Sequence, residues 1–121
     1  MNLESILISI RDRLGPSETY THFDGDIISE INTAFAILHQ FGVGPPQGFE
    51  ISDDSATWNE FTTDIIVQNM AREYVYLSAK LTFDPPENSS LLQSMKQRKD
   101  ELEWRLNTAV EFPNEEVVSD E

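Results

Sequence analysis

The chain has 121 residues, no cysteine and a formal net charge of −14 at pH 7. That length suits one domain burying roughly two-thirds of its unfolded surface, and without cysteine neither disulfides nor thiolate metal sites are available. No apolar run approaches the roughly 20 residues of a membrane span, and Glu4 precedes any basic residue at the start, so a soluble intracellular protein without a signal peptide is expected.

Leu3, Ile6, Leu7, Ile10 and Leu14 predict a short amphipathic helix stopped by Gly15-Pro16. So short a helix is marginal alone and must dock on the bundle or on a neighbour. In the polar linker from Ser17 to Phe23, Tyr20 and Phe23 are the expected anchors. Asp24 is placed to cap the next helix, with Asp26 near its positive end. Ile27, Ile28, Ile31, Ala34, Phe35, Leu38 and Phe41 form its apolar face, and Gly42-Val43-Gly44-Pro45-Pro46 ends it.

Residues 47–60 lack helical periodicity. Phe49 and Ile51 alternate with polar neighbours, Asp53-Asp54-Ser55 reads as a turn, and Thr57-Trp58 could return as a strand. The pattern allows a small β-hairpin or a structured loop pinned by Trp58. Phe61 to Phe83 is a third long helical region, with Ile66, Met70, Tyr74, Leu77 and Leu81 on one face. A fourth runs from Glu87 to about Ala109, carrying Leu91, Leu92, Met95, Leu102, Leu106 and Ala109, with the stripe interrupted at Arg98 and Lys99.

Between them, Asp84-Pro85-Pro86 must break the chain, because consecutive prolines lack amide hydrogens and push the preceding residue out of αR geometry. Two starts for the fourth helix compete: Asp84 as cap with Pro85 first, or Ser90 with Gln93 as a capping box. The tail after Glu111 has acids without a basic partner and is expected to be disordered. These readings give an all-α, four-helix bundle-like domain over 1–110, with a small β-hairpin or structured loop inside it, and an acidic tail over 111–121.

Catalytic constellations are missing. His22 lies near Asp24 and Asp26, but Asp24-Gly25-Asp26 is only a fragment of a calcium loop; helix capping is the favoured role of its acids. His39 reads as a polar-face residue. The adjacent acid pairs read as solvated faces, and the prolines after Gly44 remove amides that a phosphate loop needs. Neither enzyme activity, metal nor cofactor is expected.

Charge is unevenly spread. Residues 1–60 carry ten acids and two bases, 61–110 seven acids and six bases, and 111–121 five acids and no base, for nets of −8, −1 and −5. Such a surface serves solubility and disfavours binding to a nucleic-acid backbone. Arg72, Lys80, Lys96, Arg98 and Lys99 lie on the two near-neutral helices. They either pair within their helices, as Lys99 with Glu103 or Glu101 with Arg105 would, or meet the acidic half of an adjacent subunit. Tyr74, Tyr76, Phe83 and Trp104 have the spacing of core aromatics. Tyr74 and Tyr76 point about 200° apart, so one of them is expected to face solvent or another chain.

The order and spacing of several short segments resemble the head–tail connector (adaptor or head-completion) proteins of long-tailed double-stranded DNA phages and prophages. The resemblance spans Ser5 to about Asn107. It is carried by Tyr20-Thr21-His22-Phe23-Asp24 leading into Asp26-Ile27-Ile28, the Asn32 to Leu38 helix, Gly42-Val43-Gly44-Pro45, and Gly48-Phe49 with Ile51. Thr57-Trp58, the Leu81 to Pro86 elbow and Glu103-Trp104-Arg105-Leu106-Asn107 complete it. The resemblance implies a helical, non-enzymatic virion protein of the neck, cytoplasmic in the host before assembly. It also implies a ring under the portal, a dodecamer when assembled, with the portal and a downstream connector or tail-completion protein as neighbours. Packaged DNA would pass through its channel without specific binding. Two rivals share the charge: an acidic DNA-mimic inhibitor and a generic helical interaction module. A mimic needs carboxylates along an elongated surface, whereas the last two helices here are nearly neutral.

Overall fold

The computed structural model describes residues 3–15 and 23–111. The expectations for Tyr20, His22 and the acidic tail beyond Glu111 fall outside them. Helix α1 spans Ile6–Leu14, α2 Asp24–Gln40, α3 Trp58–Phe61, α4 Ile65–Phe83 and α5 Ser89–Glu111. The architecture is the expected all-α bundle.

Helix α4 is its axis, packing against α1, α2, α3 and α5. Its small residues Ala71, Ser78 and Ala79 are buried beside Tyr74, Val75 and Leu77, so burial spreads around the helix instead of following one stripe. Of the expected face, Tyr74 and Leu77 are buried and Met70 packs against the core, whereas Ile66 is 63% exposed. Ser5 caps α1, its hydroxyl accepting from the Ile8 amide at 3.2 Å. Ile6, Leu7, Ile10 and Leu14 of α1 all enter the core.

No hairpin forms between 47 and 60. The extended residues around Thr57 pair instead with the chain start, in a lone antiparallel bridge from Ser5 to Thr57. The Ile6 amide donates to the Ala56 carbonyl at 2.9 Å, and the Trp58 amide donates to the Glu4 carbonyl at 3.2 Å. Trp58 is not in a returning strand; it opens the one-turn helix α3, where the Glu60 carboxylate accepts from the Thr57 amide at 2.9 Å. The third helical region is thereby split, because Asp64 caps α4 by accepting from the amides of Ile66 and Val67.

Three expected caps are displaced. Phe23 occupies the cap position of α2 and is 48% exposed, so it anchors nothing in the core. Asp24 is the first helical residue, its carboxylate held by Arg11 of α1 at 2.8 Å. Asp84 closes α4: its amide donates to the Lys80 carbonyl at 2.9 Å, and its carboxylate accepts from Lys80 Nζ at 2.7 Å. Pro85 and Pro86 stay outside both helices, and the elbow stands where the prolines put it. Asn88, one residue before α5, accepts from the Leu91 amide at 3.0 Å and leaves Ser90 inside the first turn. At the start of α5 a side-chain acceptor at the right position decides the cap, whereas α2 begins with no side-chain cap at all.

An aromatic knot closes the end of the bundle formed by α2, α3 and the loop between them. Phe35 stacks on Phe61 with ring centroids 4.7 Å apart, and Phe49 and Trp58 meet Phe35 edge-on at 5.3 and 6.0 Å. Gly44, at φ +93°, lets the loop pass over this knot, since a Cβ there would lie 2.5 Å from the Phe61 ring.

Candidate interaction surfaces

The basic side chains of α4 and α5 are mostly engaged within the chain. Arg72 pairs with Glu4 at 2.8 Å and lies 5.6 Å from the centre of the Trp58 ring. Lys80 holds Asp84, as described. Arg98 reaches Glu73 at 3.4 Å, and Glu73 also accepts from Arg13 of α1 at 2.9 Å. Lys99 sits over the Tyr74 ring, its Nζ 5.4 Å from the centroid. Arg105 pairs with Glu101 one turn away, at 2.7 Å. Lys96 is exposed and makes no ion pair among the described residues. The stripe's interruption at Arg98 and Lys99 thus serves, in part, to fasten α5 to α4.

Tyr74 lies in the core and donates its hydroxyl to Glu103 at 2.7 Å. Burial, followed by the hydrogen bond and the negative charge of Glu103, pushes the Tyr74 phenol well above its ordinary range. Glu103 therefore serves Tyr74, in place of the expected bond to Lys99. Tyr76 is half-buried, with the Arg13 guanidinium 3.7 Å above its ring. The second tyrosine is thus covered by α1 of its own chain. Glu30 of α2 has its carboxyl raised by burial, against the lowering influence of Lys99 and a bond to Thr82.

Two surface features carry no such internal duty. The first is the outward face of α5. Trp104 is 63% exposed, although its neighbours at ±2, Leu102 and Leu106, are core residues. Two helical steps turn a side chain by about 200°, so with Leu102 and Leu106 in the core Trp104 is not the core aromatic that its spacing predicts. Ser90, Gln93 and Gln97, also exposed, share its side of the helix. The second is an open groove of about 460 Å³ between α2 and the following loop, lined by Asn32, Ala36, His39, Gln47, Gly48, Phe49 and Glu50.

Charge divides along the same lines. Residues 24–57 hold six acids and no lysine or arginine, while α5 holds four of the chain's eight basic residues. No group of three or more potential metal ligands occurs among the described residues, and Asp24 of the considered calcium fragment is committed to Arg11. No described helix is long and apolar enough to cross a membrane.

No curated protein and no solved structure matches the chain. The sequence model of the phage connector protein family matches residues 6–112, from the first residue of α1 to one residue past the end of α5, and the chain belongs to that family.

Proposed function

We propose that this protein is a structural component of the phage neck, a head–tail connector that forms a ring under the portal, continues the DNA channel and presents a surface to the tail. Family membership over residues 6–112 carries the reading. The chemistry supports it. A net charge of −14 gives the channel a wall that repels phosphate, so DNA can pass without being held. The near-neutral α4–α5 hairpin is the self-contact or portal-contact surface, with Arg72, Lys80, Lys96, Arg98 and Lys99 facing the acidic half of a neighbour. A contact between two different surfaces of the same chain closes into a ring when its rotation permits, and a dodecamer on the portal is the expected assembly. The protein resides in the host cytoplasm before assembly and in the virion neck afterwards.

Charge reversal tests this directly. Arg98→Glu with Lys99→Glu weakens co-sedimentation with portal assemblies while the circular-dichroism helix signal stays intact. Undiminished assembly would confine those two residues to local pairing. Failure of the unmodified chain to bind portal under any assembly condition would sink the connector role itself.

A further inference from the structure

We infer that α5 is an exchangeable arm: in the assembled ring, α5 of one copy leaves its own α4 and seats on the α4 of the next copy, in the contacts it makes within a single chain. The inference rests on the ring reading above and names the segment that joins the copies.

The receiving site is the one α5 fills in its own chain, so its fit to the α5 of a second copy follows from identity of sequence. The attachment is compact and portable. Leu102 and Leu106 are the only fully buried side chains of α5 among the described residues. Glu103 accepts from the Tyr74 hydroxyl at 2.7 Å, Arg98 meets Glu73 at 3.4 Å, and Lys99 stands over the Tyr74 ring. All three ties end on α4, the one helix against which α5 packs extensively. Every other buried apolar side chain of the described core lies outside α5, so the body has a core that does not pass through the arm.

The elbow does not hold the arm back. Pro85 and Pro86 have no amide hydrogen to lose. Asp84 bonds back to Lys80 within α4, and Asn88 bonds forward to Leu91 and Leu92 within α5. Among the described residues, none of these bonds crosses from one helix to the other, so straightening the elbow breaks none of them. The fixed φ of proline also suits an extended connection. Residues 89–98, the half of α5 next to the elbow, carry no fully buried side chain.

Closed and exchanged chains make the same α4–α5 contacts, so they differ in the elbow and in the entropy of association. Dilute chains therefore close on themselves. Copies held side by side on a portal meet at an effective concentration on the order of millimolar, where that entropy no longer opposes exchange. Each copy gives one arm and receives one, which makes the contact head-to-tail and lets it close with the ring.

A lock on the arm tests this, and the chain has no cysteine to interfere. A Cβ at Gly42 would lie 4.0 Å from the Cβ of Val110, near the end of α5, within the spacing of about 3.5–4.5 Å that a disulfide needs. Oxidised as a dilute free chain, the Gly42→Cys, Val110→Cys variant runs as a single chain on a non-reducing gel, its arm tied to its own body. The locked chain loses ring assembly on portal, read by co-sedimentation, and reductant restores it. When the reduced variant is assembled first and oxidised afterwards, disulfides join the chains into a ladder. A locked chain that assembles as well as its reduced form overturns the inference, and so does an assembled ring whose chains oxidise only within themselves. Gly42 has a φ of +83°, which strains a cysteine there. Should that variant lose its circular-dichroism helix signal, Glu73→Cys with Arg98→Cys, joined by a short bis-maleimide, provides the same lock and the same readouts. A lock that forms neither within nor between chains at either pair also overturns the inference. The ring reading is scored separately on the unmodified chain. No multimer with portal rejects the ring and the exchange with it, whereas rings of the unmodified chain beside rings of the locked chain reject the exchange alone.

Discussion

The two tryptophans stand in opposite kinds of surroundings. Trp58 is fully buried, its indole nitrogen donating to the Ser9 hydroxyl at 2.9 Å while that hydroxyl donates to the Ile6 carbonyl at 2.9 Å. It ties α3 to α1 and meets Phe35 and Phe61 in the aromatic knot. Trp104 makes no ring contact among the described residues and stands in solvent on α5. The same side chain thus stabilises the fold at one end of the molecule and is left over at the other. Stability concentrates where non-local pieces of chain converge. The long α5 is fastened by one face only, which leaves the opposite face free for another protein.

Removing each tryptophan is the sharpest way to break this contrast. Trp58→Ala should cost about 3–5 kcal/mol, combining the lost burial with a cavity and an orphaned Ser9 bond; urea unfolding followed by circular dichroism measures it. An effect no larger than that of a surface substitution would mean the knot does not bear the fold. Next in size is Tyr74→Phe, which tests how firmly α5 is attached. Losing the bond to Glu103 should cost about 1 kcal/mol near neutral pH. The phenol is raised above its ordinary value of 10.0, so its contribution is fully present below that pH. Above it the unfolded chain's tyrosine ionises first and the contribution falls. The gap between native and Tyr74→Phe midpoints should therefore narrow as the pH climbs past 10; a constant gap would contradict the buried phenol. The smallest effect belongs to Trp104→Ala, whose unfolding midpoint should stay within about 0.5 kcal/mol of the native chain. A larger loss would make Trp104 part of the fold and erase the contrast.

Much of this architecture is legible in the sequence because it is local. The 3.6-residue periodicity places α1, α2, α4 and α5, and Gly42 to Pro46 and Asp84 to Pro86 mark breaks that no tertiary contact could override. What is not legible depends on competition or on distance. Asp24 does not cap α2, because Arg11, thirteen residues earlier, takes its carboxylate. Asn88 wins the start of α5 over Asp84 and Ser90 through a single acceptor geometry. The strand-like residues before Trp58 pair with Glu4 and Ile6 at the chain start, a partner that alternation in 47–58 cannot name. On α4, neighbours on several sides bury Ala71, Val75, Ser78 and Ala79 beside the predicted stripe, a widening that periodicity alone does not give. Of the interaction surfaces, the charge division is fully visible in sequence, whereas the groove exists only once the loop folds against α2.

That loop has a consequence for assembly. The Asn32 side chain donates to the Ile51 carbonyl at 2.9 Å and accepts from the Ile51 amide at 2.8 Å, as a neighbouring strand would. One amide on a helix thereby stands in for a sheet that the chain does not have. The position of Phe49 and Glu50, two and one residues earlier, is inherited from α2 and not from the turn that follows. The exposed turn over residues 52–55 is held by its own bonds, Asp53 accepting from the Ser55 amide and hydroxyl. Any partner that docked in the groove would meet a wall already set by α2, with little ordering cost on this side.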